Sequence, residues 1–146
     1  QFILGITFGS GSLIAYSLQS NDFTVSLMIL YTGIIAWIIS FDTYYALEDK
    51  EDDLKININS TAIMWGENAI KYARILHLFF YASLIFIAIL NKFSYVFLLI
   101  IILLILIFIY QKKLIDESKF LHAFKINNLV GIIVVLGFVF EIILLK

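Results

Sequence analysis

The sequence predicts an all-α protein that crosses a lipid bilayer several times, and two observations carry this prediction. Of the 146 residues, 62% are hydrophobic and only 14% are charged, whereas about a quarter of the residues in a soluble domain are charged. The apolar residues lie in long blocks that contain almost no charge, and the charged residues lie in short clusters between them. Because a spanning helix needs about 20 apolar residues, this distribution is typical of a polytopic membrane protein.

Five apolar segments approach or reach the spanning length of about 17–25 residues. They cover Phe2–Leu18, Phe23–Phe41, Ala73–Leu90, Phe93–Tyr110 and Asn127–Leu145. The segments predict one domain over residues 1–146 that contains five spanning helices. Gly5 and Gly9 form a small-residue pair on the first of them, and such pairs allow helices in a membrane to pack closely.

The basic residues indicate how the helices are oriented in the membrane. Four lie between residues 42 and 74 and four between residues 111 and 125, whereas only Lys92 and Lys146 fall on the other side. Since basic connections stay in the cytoplasm, both long connections are predicted to be cytoplasmic. The net charge of −1 gives no indication of a nucleic-acid partner, and the absence of cysteine excludes disulfides and thiolate metal sites.

The candidate chemistry lies in one acidic stretch, which runs from Asp42 to Asp53 at the end of the second apolar segment. It contains no glycine or proline, so the second helix is expected to continue through it. At about 100° per residue, Asp49 and Asp53 then lie about 20° to either side of Asp42, and Tyr45 lies about 60° away. Three carboxylates and a phenol would share one face of the helix.

This arrangement favours a site for a divalent cation. Like charges one helical turn apart repel each other, unless a cation lies between them. Mg²⁺ binds few carboxylates and completes its shell with water and substrate phosphates, so Asp49 and Asp53 are candidate ligands for Mg²⁺ with a diphosphate. From spacing alone, a solvated charged helix end explains the cluster equally well. An EF-hand is disfavoured because the glycine that its loop requires is missing.

The same residues resemble the second aspartate-rich motif of the UbiA superfamily of intramembrane prenyltransferases. The similarity rests on Asp42-x-x-Tyr45-Ala46-x-x-Asp49-x-x-x-Asp53, followed by Lys55 and Ser60-Thr61-Ala62-Ile63. Within the superfamily, the pattern is most similar to 4-hydroxybenzoate polyprenyltransferases. The family often has glycine where Asn57 stands, and asparagine is the next-best residue for a left-handed turn.

The resemblance implies the C-terminal half of a nine-helix bundle around a cavity that opens to lipid. It implies Mg²⁺-dependent transfer of a polyprenyl group from polyprenyl diphosphate to 4-hydroxybenzoate, an early step of ubiquinone biosynthesis, in the bacterial inner membrane with the site facing the cytoplasm. Asp49 and Asp53 would be catalytic metal ligands and Asp42 a supporting catalytic residue, while Tyr45, Lys113 and Lys125 would bind substrate. The first aspartate motif of the family is not within these residues, so residues 1–146 alone are expected to be inactive.

Several alternatives stay open. The acceptor could instead be homogentisate, a naphthoate or haem. A divalent-cation transporter would need acids or amides deep within the spans, where His77 is nearly alone, and a non-catalytic scaffold gives no reason for four polar groups on one face. His77 is expected to be a packed, hydrogen-bonded residue. Glu141 is expected to reach the far membrane interface, as a long charged side chain near a helix end does.

Overall fold

The computed structural model describes residues 1–20 and 22–144, except the side chain of residue 144. All regular elements within these residues are helices. In chain order they are α1 (Phe2–Ser17), α2 (Val25–Glu48), α3 (Lys50–Lys55), α4 (Thr61–Met64), α5 (Ala69–Leu90), α6 (Tyr95–Asp116), α7 (Phe120–Lys125) and α8 (Asn127–Leu144). A single 3₁₀ turn, Gly66–Asn68, leads into α5.

Four helical stretches in the described part of the chain are long and apolar enough to cross a membrane. They are Val25–Glu48, Gly66–Leu90, Tyr95–Asp116 and Phe120–Ile143. The prediction of an all-helical membrane protein is therefore confirmed. Of the five predicted spans, the first forms an apolar helix of only 16 residues, shorter than the four others. The last predicted span ends at Leu145, which lies outside the described residues. Asn21 and Lys146 also lie outside them.

Two helices continue beyond their apolar segments into the long charged connections. α2 continues past Phe41 to Glu48, and α6 continues past Tyr110 to Asp116. The hydropathy pattern marks where the apolar part of a helix ends, but the backbone hydrogen bonds continue wherever the following residues also form helices well. Ala, Leu and Glu are such residues in the extension of α2, and Gln, Lys and Leu are such residues in the extension of α6.

Both charged connections lie at the same end of the bundle, which we call the motif end. Arg74 at the start of α5 donates a hydrogen bond of 2.6 Å to Asp116 at the end of α6. At the opposite end, which we call the far end, Asn91 donates a hydrogen bond of 3.0 Å to Ser26. The two long charged connections thus share one end of the bundle and a short connection lies at the other, as predicted.

Small residues bring the helices close together. A Cβ atom on Gly33 of α2 would lie 2.8 Å from the Cβ of Ser83 on α5, a distance that real side chains do not adopt. One turn further along α2, Trp37 stacks on Phe80 of α5 with ring centroids 4.9 Å apart. Gly5 and Gly9 of α1 face α2 in the same way, with Ile35 about 3.2 Å from the Cβ position of Gly9. The predicted packing role of these two glycines is confirmed.

Two ionisable residues within the spans have structural roles. His77 is fully buried, and its Nδ1 lies 3.4 Å from the Ser40 hydroxyl, so it is packed as expected. Glu141 is 2% exposed, and its carboxylate accepts hydrogen bonds from the backbone N–H and the hydroxyl of Ser94, at 2.9 and 2.6 Å. Glu141 thus lies at the far end of the bundle, in line with the expectation, and Ser94, the residue before α6, satisfies its carboxylate inside the protein.

Candidate functional site

The acidic stretch does not form one continuous helix. α2 ends at Glu48, Asp49 has φ −88° and ψ 3°, and α3 begins at Lys50. The Asp49 carbonyl accepts the N–H groups of Asp52 and Asp53, at 3.0 and 2.9 Å. The predicted uninterrupted helix was wrong at this residue. Crowded acidic side chains repel one another, and aspartate competes with the backbone for hydrogen bonds and so favours helix ends.

The predicted groups nevertheless remain close to one another across the break. Asp42, Tyr45, Asp49 and Asp53 follow one another at steps of three or four residues. The backbone N–H of Asp49 donates to the Tyr45 carbonyl at 3.2 Å and that of Asp53 to the Asp49 carbonyl at 2.9 Å, which keeps successive turns in register. Tyr45 is 41% exposed, and the three aspartates are half-buried. The four side chains therefore form a cluster at the motif end that is open to solvent on one side.

The neighbouring acidic residues make other contacts. Asp52 accepts an ion-paired hydrogen bond of 2.8 Å from Lys55, and the Glu48 carboxylate accepts the backbone N–H of Leu121 at 3.3 Å. Glu51 is exposed. Within the described residues, Asp49 and Asp53 take part in no ion pair. The structure thus leaves these two carboxylates, one turn apart, available for a ligand.

This pair fits the Mg²⁺ that the family resemblance implies. In the part of the chain that the structure describes, no three His, Cys, Asp or Glu side chains converge into a metal-binding group. A metal held entirely by protein side chains of these residues is therefore disfavoured. Mg²⁺ commonly uses one or two carboxylates and takes its remaining ligands from water and phosphate oxygens, and Asp49 with Asp53 supplies that number.

The segment after α3 folds back onto the motif helix. Asn57 has φ 61°, so the left-handed turn expected at this position is present. The chain then returns to α2, where the hydroxyls of Thr43 and Thr61 lie 2.8 Å apart and both residues are buried. The Thr61 backbone N–H donates to the Gln1 side chain at 3.0 Å. These contacts tie α4 and the start of α1 to the helix that carries Asp42.

The two predicted basic residues lie on different helices at the motif end. Lys125 is exposed at the end of α7, and the residue before it, Phe124, packs on Tyr45 with ring centroids 5.1 Å apart. Lys113 is exposed on the last turn of α6. Its charge helps to lower the pKa of Glu117, which is lowered mainly by the hydrogen bond from Lys119. Among the described residues, neither Lys113 nor Lys125 forms an ion pair with the aspartates of the motif.

A cavity of about 350 Å³ lies next to the acidic cluster, between α1, α2 and the α7–α8 junction. Its walls are mostly apolar and aromatic, and Asp42 connects it to the cluster. The lining residues are Leu4, Phe8, Trp37, Ile38, Phe41, Asp42, Phe124, Asn127 and Asn128. The sequence signal for this part of the site is the pair of amides, Asn127 and Asn128, at the start of an apolar segment. The sequence alone did not show which helices they face.

The fold and the site define a class of protein: a helical membrane protein whose paired carboxylates, at one end of the bundle, adjoin an apolar cavity. The chain matches the UbiA prenyltransferase family over residues 1–129, and it belongs to that family.

Relatives with assigned names agree with this membership. The chain is 35% identical over 140 residues to a 4-hydroxybenzoate octaprenyltransferase of Enterobacter sp., covering 94% of this chain and 48% of the relative. It is 32% identical over 151 residues to a protein of the same name from Vesicomyosocius okutanii, covering 97% and 53%. The chain spans about half the length of the curated relatives it matches. No solved structure matches the chain.

Proposed function

We propose that this chain forms part of an enzyme that transfers a polyprenyl group from its diphosphate to the ring of 4-hydroxybenzoate. The observation that carries the proposal is the position of Asp49 and Asp53, two carboxylates without ion-pair partners among the described residues, beside a cavity that Asp42 lines. A charged donor head and a flat aromatic ring need these two environments side by side. The names of the relatives support the same reaction.

In this proposal the acidic cluster binds the head of the donor. Asp49 and Asp53 would hold Mg²⁺ together with the donor diphosphate, and the metal would supply positive charge for the leaving diphosphate. The Tyr45 phenol, one helical turn from Asp49, would donate a hydrogen bond to the Asp49 carboxylate. Lys125 at the end of α7 and Lys113 at the end of α6 would add positive charge for the diphosphate.

The cavity has the properties that the acceptor and the reactive prenyl carbon require. Its aromatic walls suit a planar ring, and the Asp42 carboxylate is positioned to accept a hydrogen bond from a phenol. Once further helices close the cavity, its apolar walls would protect an electron-deficient prenyl carbon from attack by water. A second apolar groove continues from Trp37, Asn127 and Asn128 along α8 to Leu136, and it offers a surface for the prenyl tail.

We also propose where the protein acts. The eight basic residues near the motif end support a cytoplasmic position for this end, where the acidic cluster would meet soluble 4-hydroxybenzoate. The product would remain in the membrane through its polyprenyl tail. This is the arrangement expected for an early step of ubiquinone biosynthesis in a bacterial inner membrane.

The proposal is tested by an assay of the complete protein in lipid with Mg²⁺, labelled polyprenyl diphosphate and 4-hydroxybenzoate. The unmodified protein should form prenylated 4-hydroxybenzoate, and Asp49→Asn and Asp53→Asn should each lower the rate by at least about 100-fold, since the metal-diphosphate unit supplies much of the electrostatic stabilisation. Glu51→Gln, which removes one charge from an exposed position in the same stretch, is the matched control and should change the rate less than about threefold.

Two results would contradict the proposal. Absence of product from the folded, unmodified protein, with product formed from homogentisate, a naphthoate or haem, would move the activity to another acceptor. Equal losses in Glu51→Gln and Asp49→Asn would show that general negative charge at the motif end, rather than a specific pair of ligands, accounts for the effect.

A further inference from the structure

Two adjacent asparagines line the cavity, but their amide groups are in different situations. The Asn127 side chain is buried and makes three hydrogen bonds: its Oδ1 accepts from Trp37 Nε1 at 2.9 Å, and its Nδ2 donates to the carbonyls of Ala123 and Phe124, both at 3.0 Å. Both N–H groups and the carbonyl oxygen are thus already used. Asn127 holds the cavity wall together and has no donor left for a ligand.

Asn128 also lines the cavity, but it is exposed and its side chain makes no hydrogen bond with any described residue. It lies in the first turn of α8, at the level where the apolar segment begins. Polar groups inside a membrane protein usually face its interior or a cavity and have a partner there. An amide that faces a cavity with both of its N–H donors available is suited to binding a ligand.

The other polar groups of the cavity decide which part of a ligand Asn128 would meet. Asp42 is a carboxylate, so it repels an anion and accepts hydrogen bonds from a hydroxyl. Asn127 has no donor left. Among the nine residues that line the cavity, Asn128 therefore offers the available side-chain N–H donors, and a carboxylate is a strong acceptor for such donors.

We propose that Asn128 is a specificity-determining residue, which donates a hydrogen bond to the carboxylate of the aromatic acceptor while Asp42 faces its phenol. The inference rests on the proposed function, because it takes 4-hydroxybenzoate as the acceptor. The ring lies between the two polar groups, against Phe41, Phe124 and Trp37. Asn128 thus selects for an acid group on the ring and does not participate in the chemistry at the prenyl carbon.

The test combines binding and kinetics, and it uses the complete protein in lipid nanodiscs. Equilibrium binding of labelled 4-hydroxybenzoate is measured for the unmodified protein, Asn128→Ala and Asn128→Asp, and the KM for acceptor and for polyprenyl diphosphate is measured in parallel. The neutral methyl ester of 4-hydroxybenzoate, which retains the ring and the phenol, is the second acceptor. Asn91→Ala, an exposed asparagine at the far end, is the matched control.

Loss of a hydrogen bond to a charged group predicts that Asn128→Ala raises the Kd and KM for 4-hydroxybenzoate about tenfold. Asn128→Asp should raise them further, because it places a second negative charge beside the acceptor carboxylate. Both variants should change the KM for the donor much less than the KM for the acid, because Asn128 only borders the groove proposed for the apolar tail. Both should also affect the methyl ester much less. Asn91→Ala should leave all of these values unchanged.

The outcomes separate this inference from the proposed function. If the unmodified protein forms no prenylated 4-hydroxybenzoate, the proposed function fails, whatever the variants do. If it forms product but Asn128→Asp binds the acid and the ester as the unmodified protein does, the role of Asn128 is overturned. Equal weakening of donor and acceptor binding, or a loss of folded protein in both Asn128 variants, would assign Asn128 to packing and also overturn it.

Discussion

Trp37 and Asn127 join two helices that are far apart in the sequence, through a hydrogen bond of 2.9 Å from the indole Nε1 of α2 to the amide Oδ1 of α8. On its other side, Trp37 stacks on Phe80 of α5. This one side chain therefore contacts two neighbouring helices while it lines the cavity next to Asp42. The shape of the candidate acceptor site depends on a contact in which neither residue belongs to the aspartate motif.

The first prediction concerns this contact. Asn127→Leu keeps a similar volume but removes the acceptor for Trp37 and the donors for two carbonyl groups, so it should destabilise the protein by about 1–3 kcal/mol. The measurement is the midpoint of thermal denaturation in detergent, followed by size-exclusion chromatography. Trp37→Phe, which retains the stacking on Phe80 and loses only the indole N–H, should cost less. Equal stability of Asn127→Leu and the unmodified protein would show that the hydrogen bonds contribute nothing measurable.

The second prediction concerns the orientation of the bundle in the membrane. Ser118 lies between α6 and α7 at the motif end, and Asn91 follows α5 at the far end. The chain has no cysteine, so Ser118→Cys and Asn91→Cys each introduce a single thiol. In intact cells, a membrane-impermeant maleimide should label Cys at position 91 and should label position 118 only after the membrane is opened. The reverse pattern would place the acidic cluster outside the cytoplasm.

Much of the architecture followed from simple patterns in the sequence. Long apolar runs identified the helices, and the absence of proline left no residue that would interrupt their backbone hydrogen bonds. The end of α6 lies beyond its apolar segment, because hydropathy reports burial in lipid, whereas a helix ends where its backbone hydrogen bonds end. The break at Asp49 was missed because it depends on repulsion and capping within the acidic stretch, which a helical wheel does not represent.

The site was predictable only in part. The spacing of Asp42, Tyr45, Asp49 and Asp53 identified a cluster, because residues near one another in sequence stay near one another in a helix. Phe124 contacts Tyr45, which lies about 80 positions away in the sequence. The cavity likewise brings α1 and α2 together with the distant α8. Such contacts depend on how whole helices pack, which periodicity within one segment does not determine. The catalytic and binding roles stay predictions for all six candidate residues, which are Asp42, Asp49, Asp53, Tyr45, Lys113 and Lys125.

The third prediction concerns the close approach of α2 and α5. Gly33→Ala would place a Cβ 2.8 Å from the Cβ of Ser83, so one helix must move, at a cost of about 1–3 kcal/mol. Ser83→Gly should restore most of the lost stability when combined with Gly33→Ala, because it removes the opposing atom. Gly11→Ala is the matched control, since nothing lies within 4 Å of its Cβ position. Thermal denaturation in detergent measures all four proteins, and a Gly33→Ala protein as stable as Gly11→Ala would contradict the packing.

The last prediction is that a polypeptide of residues 1–146 by itself has no detectable prenyltransferase activity. These residues correspond to about half of the curated relatives, and the described part supplies one pair of candidate metal ligands, Asp49 and Asp53. A polyprenyl diphosphate carries several negative charges, and more charge develops on the diphosphate as the bond to the prenyl carbon breaks. One metal held by two carboxylates and by waters gives limited stabilisation of that charge.

Water is the second reason for this expectation. Phe8 of α1 lines the cavity beside Asp42 and is 70% exposed, so the described residues do not close this side of the cavity. The cavity beside Asp42 is bounded by α1 on one side, and helices supplied by the other half of such a protein would close it against water. Without them, water would convert a reactive prenyl carbon to the alcohol faster than the acceptor ring could attack it.

The measurement is an assay of purified residues 1–146 in lipid, with Mg²⁺, labelled polyprenyl diphosphate and 4-hydroxybenzoate. The expected result is no prenylated product above a reaction without protein, while the complete protein, assayed alongside as the positive control, forms it. Addition of the separately expressed remainder of the protein should restore part of the activity if the two pieces assemble in the membrane. Product formation by residues 1–146 alone, abolished by Asp49→Asn, would show that one carboxylate pair and these helices suffice, and that the charge and water arguments are both wrong.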